Sequence, residues 1–435
     1  MNSVWVENTD RVSFNVLDGN KRTDVLIIGG GIAGILCAYK LKRTGVDCLL
    51  LEADRICSGV TQNTTAKLTL QHGLLYDRLI RELGVERARL YLEAQRSALA
   101  EYAKLCAGIS CDYTEQPSYV YSMGDRAAIE KEVLALNRLG WKARFSEARA
   151  LPFAVAGAVR VDGQASFHPL RFLYELAKTL PIYEHTKVLE LMPGRARTDR
   201  GDVLCKKMIV ATHFPILNKH GGYFIKLYQD RSYVLALEGA EKLDGMYVDA
   251  EKRGLSFRNT PNRLLLGGGS HRTGKQGGGW RELEIFAKKH YPSAKQVAKW
   301  ATQDCMTLDG IPYIGQYAKG TPNLYVATGF QKWGMTSAMV AATLLTDLIC
   351  GKQNDYASLF SPSRSILRPQ LALNAFESLI GLLTPTVPRC PHLGCALKYN
   401  PQEHSWDCPC HGSRFSDRGE LINNPATDDH PRISK

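Results

Sequence analysis

TDVLIIGGGIAGILCAYKLKRTGVDCLLLE, residues 23–52, decides the fold. Thr23 to Ile28 is a short apolar run of the kind that forms a buried parallel strand, and it enters Gly29-Gly30-Gly31-Ile32-Ala33-Gly34, a G-x-G-x-x-G turn. A helical pattern follows through Ile35, Leu36, Ala38 and Leu41, Gly45 stops it, and a second apolar run ends in Glu52. The unit is strand, helix, strand. Gly29 permits the tight turn, Gly31 lets a pyrophosphate approach the backbone, and Gly34 lets helix and strand pack closely, while the helix N-terminus offers unpaired N–H groups to phosphate charge. Glu52 stands where a carboxylate accepts from a ribose hydroxyl and repels a 2′-phosphate, which disfavours NADP.

At 435 residues the chain is too long for one core and implies two or three domains. Charged residues at 23% and hydrophobic ones at 44% are ordinary for a globular protein. No apolar run is long enough to span a bilayer, and residues 1–20 lack the apolar core of a secretory signal, so a cytoplasmic location is expected. The formal charge of +12 is spread over scattered lysines and arginines, which argues for a solvated surface over nucleic-acid binding and would steer an acidic electron-carrier protein.

Outward from the opening unit, residues 1–22 read as a polar arm and residues 58–67 (SGVTQNTTAK) as a small, polar loop suited to lie against a flat ring system. Residues 76–106 are strongly helical, and helix–turn patterns continue to about Trp141, as in an inserted cap. A helix is expected over 170–179, strands over 187–191 and 205–212, and short antiparallel strands over 233–238, 245–249, 255–258 and 263–267. Residues 280–290 read as a helix, 307–315 as a bent loop and 323–328 as a further strand. That strand meets a second glycine turn, 329–336 (GFQKWGMT), and a helix to about Ile349, whose dipole would stabilise negative charge on a reduced ring. Tyr223, Tyr233, His271 and Trp333 are candidate pocket residues.

Taken together, the glycine turn, Glu52, the 58–67 loop, the Val188 strand, the return over 204–212 and the 329–336 turn resemble the FAD-dependent oxidoreductases of the D-amino-acid oxidase and glycine oxidase type, over about residues 22–352. The resemblance implies an α/β flavoprotein with a Rossmann-type FAD domain (22–75, 160–213 and 301–352) and an antiparallel-sheet substrate or cap domain (76–159 and 214–300). By position, Gly29, Gly31, Ile32, Ala33 and Gly34 would hold the pyrophosphate, Glu52 and Ala53 the adenosine ribose, and Val188 the adenine end. Thr61, Thr64, Thr65, Ala66 and Lys67 would line the flavin, with Gly329, Trp333, Gly334, Met335 and Thr336 near its pyrimidine edge. One departure concerns the substrate. Amino-acid oxidases of this type hold the substrate carboxylate with an arginine just before the Asp309-Gly310-x-Pro312 loop, where this chain has Asp304-Cys305-Met306-Thr307-Leu308; Arg258 or Arg272 would have to substitute from the sheet.

Of twelve cysteines, eight are scattered and read as buried thiols; Cys390, Cys395, Cys408 and Cys410 crowd into the tail. They follow a proline-bearing connector, 353–388, with an amphipathic helix over about 370–383. Cys390-Pro391-His392-Leu393-Gly394-Cys395 and Cys408-Pro409-Cys410-His411-Gly412-Ser413 supply two thiolates and two imidazoles, a set that serves a Rieske [2Fe–2S] centre or a tetrahedral zinc site. The two loops closely resemble Rieske proteins. The resemblance implies Cys390, His392, Cys408 and His411 as cluster ligands, a disulfide between Cys395 and Cys410, and exposed imidazole N–H groups able to couple proton release to cluster oxidation. Residues 389–435 form a truncated module that must lean on the flavin domain, because so few residues make too small a core.

The expected activity is FAD-dependent oxidation of a small reduced metabolite, amine-like or other, with electrons leaving through the Rieske cluster to an external carrier. A redox relay without small-molecule turnover, and a flavin oxidase with a structural zinc tail, are the alternatives.

Overall fold

The protein is described from a computed structural model that covers residues 3–7, 9–217, 220–251, 254–385, 388–430 and 433. Its first sheet has eight strands, and four run parallel at its centre: Leu324–Thr328, Asp202–Val210, Lys21–Ile28 and Cys48–Leu51. Every side chain from Val25 to Ile28 and from Cys48 to Leu51 is buried, as expected of strands covered on both faces. The helices Ile32–Arg43 and Gly334–Ile349 pack against each other, so both glycine turns open at the same end of the sheet.

The second sheet has nine strands and is antiparallel except where Met246–Asp249 pairs in parallel with Thr114–Ser122. The strands at one end of it are long. Leu227–Glu238 pairs with both Arg263–Arg272 and Lys295–Thr307. Lys295–Thr307 is a strand that residue patterning does not suggest, because its sequence KQVAKWATQDCMT is too polar for either face to read as core. The strand Thr114–Ser122 likewise stands where helix–turn patterning continues, and the expected helix over 76–106 is two helices, Tyr76–Leu83 and Val85–Cys106, broken at Gly84 (φ +83°). A residue with a side chain is disfavoured there, which is why the break falls at a glycine.

The N-terminal arm is not a loose polar segment: Ser3, Val4 and Trp5 are buried, Trp5 Nε1 donates to Thr64 O at 2.7 Å, and the Arg258 guanidinium covers the indole. The third sheet has four short antiparallel strands in sequence order, Lys398–Asn400, Ser405–Asp407, Arg414–Ser416 and Leu421–Asn423. Its small core gathers Cys390, Cys395, Leu397, Cys408, Cys410 and Phe415. Among the described residues no helix is long and apolar enough to cross a membrane.

Candidate functional site

A cavity of about 830 Å³ runs from the end of the parallel sheet to the face of the second sheet. Gly29, Gly31, Ile32, Ala33, Glu52, Ala53, Thr61, Thr64, Thr65, Lys67, Val188, Gly329, Trp333, Gly334 and Met335 all line it. Gly34, Ala66 and Thr336 stand behind the wall. A Cβ on Gly34 would meet Gly29 O at 1.9 Å, so this glycine is required by the contact of helix with turn. Thr336 Oγ1 donates to Thr69 O at 3.3 Å, and Ala66 is fully buried at φ +51°.

Local geometry explains the glycine turn. Gly29 adopts φ +108°, and Gly30 N donates to Glu52 Oε2 at 2.6 Å, which fixes the carboxylate at the tip of its strand beside Asp54 N at 3.0 Å. Burial raises the Glu52 carboxyl above the ordinary range despite those donors. Gly31 caps the helix with extended backbone, and Thr61 Oγ1 accepts from Ile32 N at 3.1 Å. Nothing lies closer than 3.4 Å to a Cβ built on Gly31, so its missing side chain leaves open space beside the helix N-terminus. Trp333 stacks on His72 with ring centroids 5.0 Å apart, and Lys67 Nζ donates to Thr65 Oγ1 at 3.1 Å. Burial, with Arg258 nearby, lowers the Lys67 ammonium to about 7.

The far wall was not legible beforehand. Asp230 and Ser232 from Leu227–Glu238, and Thr302 and Asp304 from Lys295–Thr307, line the cavity with Lys332 and His213. Burial raises the Asp304 carboxyl to about 6, and Ser232 Oγ donates to it at 3.3 Å. Lys295–Thr307 carries polar residues on both faces, so its sequence held no alternation that would have revealed this wall. Of the other candidate pocket residues, Tyr233 lines the cavity, whereas Tyr223 is buried with its hydroxyl donating to Tyr317 O at 2.8 Å. His271 is buried against Tyr233, with Nε2 3.0 Å from the Tyr233 hydroxyl.

Neither arginine offered as a carboxylate clamp is available. Arg258 donates to Thr65 O and to Phe167 O at 2.9 Å, and Arg272 donates to Pro409 O at 3.0 Å, Cys410 O at 3.1 Å and Asn374 Oδ1 at 3.0 Å. Arg272 therefore anchors a cysteine loop.

The two cysteine loops are built alike. Gly394 N donates to Cys390 O at 2.9 Å and Gly412 N to Cys408 O at 3.0 Å, and each glycine has positive φ four residues after its cysteine. The repeated turn brings the His392 and His411 rings to 5.0 Å and nearly perpendicular. The Sγ atoms of Cys395, Cys408 and Cys410 lie within 4.8 Å of one another, and neighbouring thiols, Cys390 foremost, hold Cys408 well below the ordinary thiol range. The buried Nδ1 of His411 has no hydrogen-bond partner among the described residues, as suits a nitrogen reserved for a metal. All twelve cysteines are unbridged, Cys395 and Cys410 included, and these two pack against Gly381 of the connector helix. His411 is buried under Phe224, whereas His392 is half-buried, so of the two imidazoles expected to be exposed only that of His392 reaches solvent.

These loops rest mainly on the second sheet. Gln229 Nε2 donates to His411 O at 2.9 Å and Asn424 O at 3.0 Å, and Gln303 Nε2 donates to Gly412 O at 2.8 Å and to Gln229 Oε1 at 2.7 Å. Asn424 Nδ2 reaches Thr212 O and Phe214 O at the end of the parallel sheet, Lys187 Nζ pairs with Asp428 Oδ1 at 3.1 Å, and the His392 ring meets Phe214, so the flavin-side sheet supports the module as well. Glu403 accepts from Arg231 Nε at 3.0 Å, Arg414 at 2.9 Å and Tyr233 Oη at 2.9 Å.

Comparison with known proteins agrees with this geometry. Residues 24–348 match the family described as FAD dependent oxidoreductase (DAO), and residues 381–434 match the Rieske [2Fe-2S] domain. The chain is 35% identical to the Rieske 2Fe-2S iron-sulfur protein YhfW of Bacillus subtilis (strain 168), over 97% of this chain and 95% of that one. It is 26% identical to gamma-glutamylputrescine oxidoreductase of Escherichia coli (strain K12), over 78% and 86% of the two chains. Glycine oxidase from Geobacillus kaustophilus has the same fold, with a TM-score of 0.67 at 20% identity over 80% of this chain and all of that one. The choice between zinc and iron left open by two thiolates and two imidazoles falls to iron, and the cofactors are FAD and a [2Fe-2S] cluster. With a dinucleotide cradle and paired cysteine loops on one polypeptide, the chain belongs to the DAO family of FAD-dependent oxidoreductases and carries a C-terminal Rieske domain.

Proposed function

We propose that this enzyme oxidises a small amine at the cavity and passes the electrons through the Rieske cluster to an external carrier protein. One observation carries the reading: the cysteine loops and the cavity lie on opposite faces of the same two strands. On Leu227–Glu238, Gln229 bonds the His411 carbonyl while Asp230 and Ser232 face the cavity; on Lys295–Thr307, Gln303 bonds the Gly412 carbonyl while Thr302 and Asp304 face the cavity. FAD supplies two-electron chemistry and the cluster one-electron steps.

In this reading Gly29, Gly31, Ile32, Ala33 and Thr61 cradle the pyrophosphate. Glu52, Ala53 and Val188 flank the adenosine, and Thr64, Thr65, Lys67, Trp333, Gly334 and Met335 bound the ring, with Gly34, Ala66, Gly329 and Thr336 shaping those walls. Cys390, His392, Cys408 and His411 hold the iron. Asp230 and Asp304 line the cavity near Lys332 and offer two carboxylates to a cationic substrate, while Arg258 and Arg272 are engaged elsewhere and neither is left for a carboxylate. The relative whose name contains an amine, gamma-glutamylputrescine, supports the same class. A formal charge of +12 favours an acidic carrier protein.

The test is anaerobic. Amines that bleach the flavin absorbance are expected to raise, in the same sample, the paramagnetic signal of a reduced histidine-ligated cluster. Gln229→Leu is expected to keep both cofactors and slow the second event relative to the first. Flavin bleaching that never reaches the cluster would end the proposal.

A further inference from the structure

The connector helix Pro369–Leu383 is inside out. Its polar side chains face the protein: Asn374 Oδ1 accepts from Arg272 Nη1 at 3.0 Å and Gln370 Nε2 at 3.1 Å, and Glu377 pairs with Lys275 at 2.6 Å. Gly381 presses on the cysteine loops so tightly that a Cβ there would stand 2.5 Å from Cys410 Sγ, and Ala396 N donates to Gly381 O at 2.9 Å. The helix cannot roll over without breaking these bonds. Its apolar residues consequently point to solvent, among them Leu373, Phe376 (60% exposed), Leu379, Ile380 and Leu383 (72% exposed). An amphipathic helix in water normally turns the other way.

Two features say what covers this face. The exposed positions 372, 373, 375, 376, 379, 380, 382 and 383, at about 100° per residue, sweep roughly half the helix circumference, wider than the a/d seam a single partner helix covers. An apolar face this broad suits a surface more than a single partner helix. None of these positions carries a charge, the one acid of the helix is paired and turned inward, and the exposed Lys398 follows in a chain of formal charge +12, with the Arg389 guanidinium held on the carbonyls of Leu382, Thr384 and Gly394. That combination suits the interface of an anionic bilayer, with acyl chains against the leucines and headgroups against the basic surround. We infer that the protein binds anionic membrane surfaces peripherally through the outer face of Pro369–Leu383, with the cysteine loop at Leu393 beside the lipid.

The inference stands independently of the redox reading. Holoprotein is floated with vesicles of phosphatidylcholine containing phosphatidylglycerol, and with phosphatidylcholine alone. Flotation is expected with the anionic vesicles and weaker with the neutral ones. Phe376→Ser, Leu379→Ser and Leu383→Ser together should reduce it more than tenfold while the flavin absorbance and cluster signal stay as in the wild type. Wild-type protein that stays behind with both vesicles overturns the inference. If it is then a dimer that the same substitutions dissociate, the face belongs to a second copy.

Discussion

Gly34→Ala will cost the protein its fold before it costs it a cofactor. The added Cβ meets Gly29 O at 1.9 Å, and because the obstacle is backbone, no rotamer change relieves it; the helix must lift from the strand it packs on. A displacement of that kind costs on the order of 3–5 kcal/mol, a large share of the stability of a typical domain. Gly31→Ala separates the two roles. Its φ of −75° is open to alanine and its nearest neighbour is Thr61 Oγ1 at 3.4 Å, so the chain should fold as before. The methyl group would point into the cradle, and FAD affinity should fall by about 2–3 kcal/mol, roughly a hundredfold. Soluble yield, thermal midpoint of the stripped protein and bound FAD distinguish the cases. Equal melting of wild type and Gly34→Ala would refute the packing argument, and undiminished FAD in Gly31→Ala would refute the cradle.

Glu403→Gln is expected to loosen the Rieske module while leaving FAD in place. Glu403 lies at the junction of module and second sheet with Arg231 and Arg414, all three nearly free of solvent. Burial by itself would raise this carboxyl, but Arg231 and Arg414 outweigh it and hold it at about 2. The glutamine keeps the shape and removes the charge, so two arginines are left buried with half their compensation. Breaking a buried ion pair from one side typically costs about 3–5 kcal/mol. Because the folded-state value is depressed below the ordinary 4.5, the stabilisation is complete above that pH and is lost as the pH falls toward 2. The shift corresponds to about 3 kcal/mol, of the same order as the mutational estimate. Melting followed separately by cluster and flavin signals should show the cluster transition falling first, in Glu403→Gln at neutral pH and in the wild type on acidification. A single unshifted transition would show that this triad does not hold the module down.

Both sites predicted to matter most were readable because their requirements are local. The tight turn from strand to helix needs particular backbone angles and missing side chains within six residues, so Gly29 to Gly34 announce it in one dimension, and Glu52 follows at the end of the next strand. The cysteine loops are equally self-contained: each needs a cysteine, a turn and a glycine at positive φ four residues on, and the two copies repeat that grammar at Cys390 and Cys408. Thr64, Thr65 and Lys67 line the cavity because they follow a short turn directly after the nucleotide unit.

What the sequence determined by itself was thus the nucleotide unit, the paired cysteine loops and the kind of chemistry they support, all set by short-range steric and ligand demands. The tertiary structure alone decided that Lys295–Thr307 is a strand, that Asp230 and Asp304 share a wall with the cysteine loops, that Arg258 and Arg272 are already engaged, and that the connector helix shows its apolar face to the outside. Each depends on pairing between residues far apart in the chain, where a polar side chain is explained by the partner it meets, and no local periodicity encodes that partner.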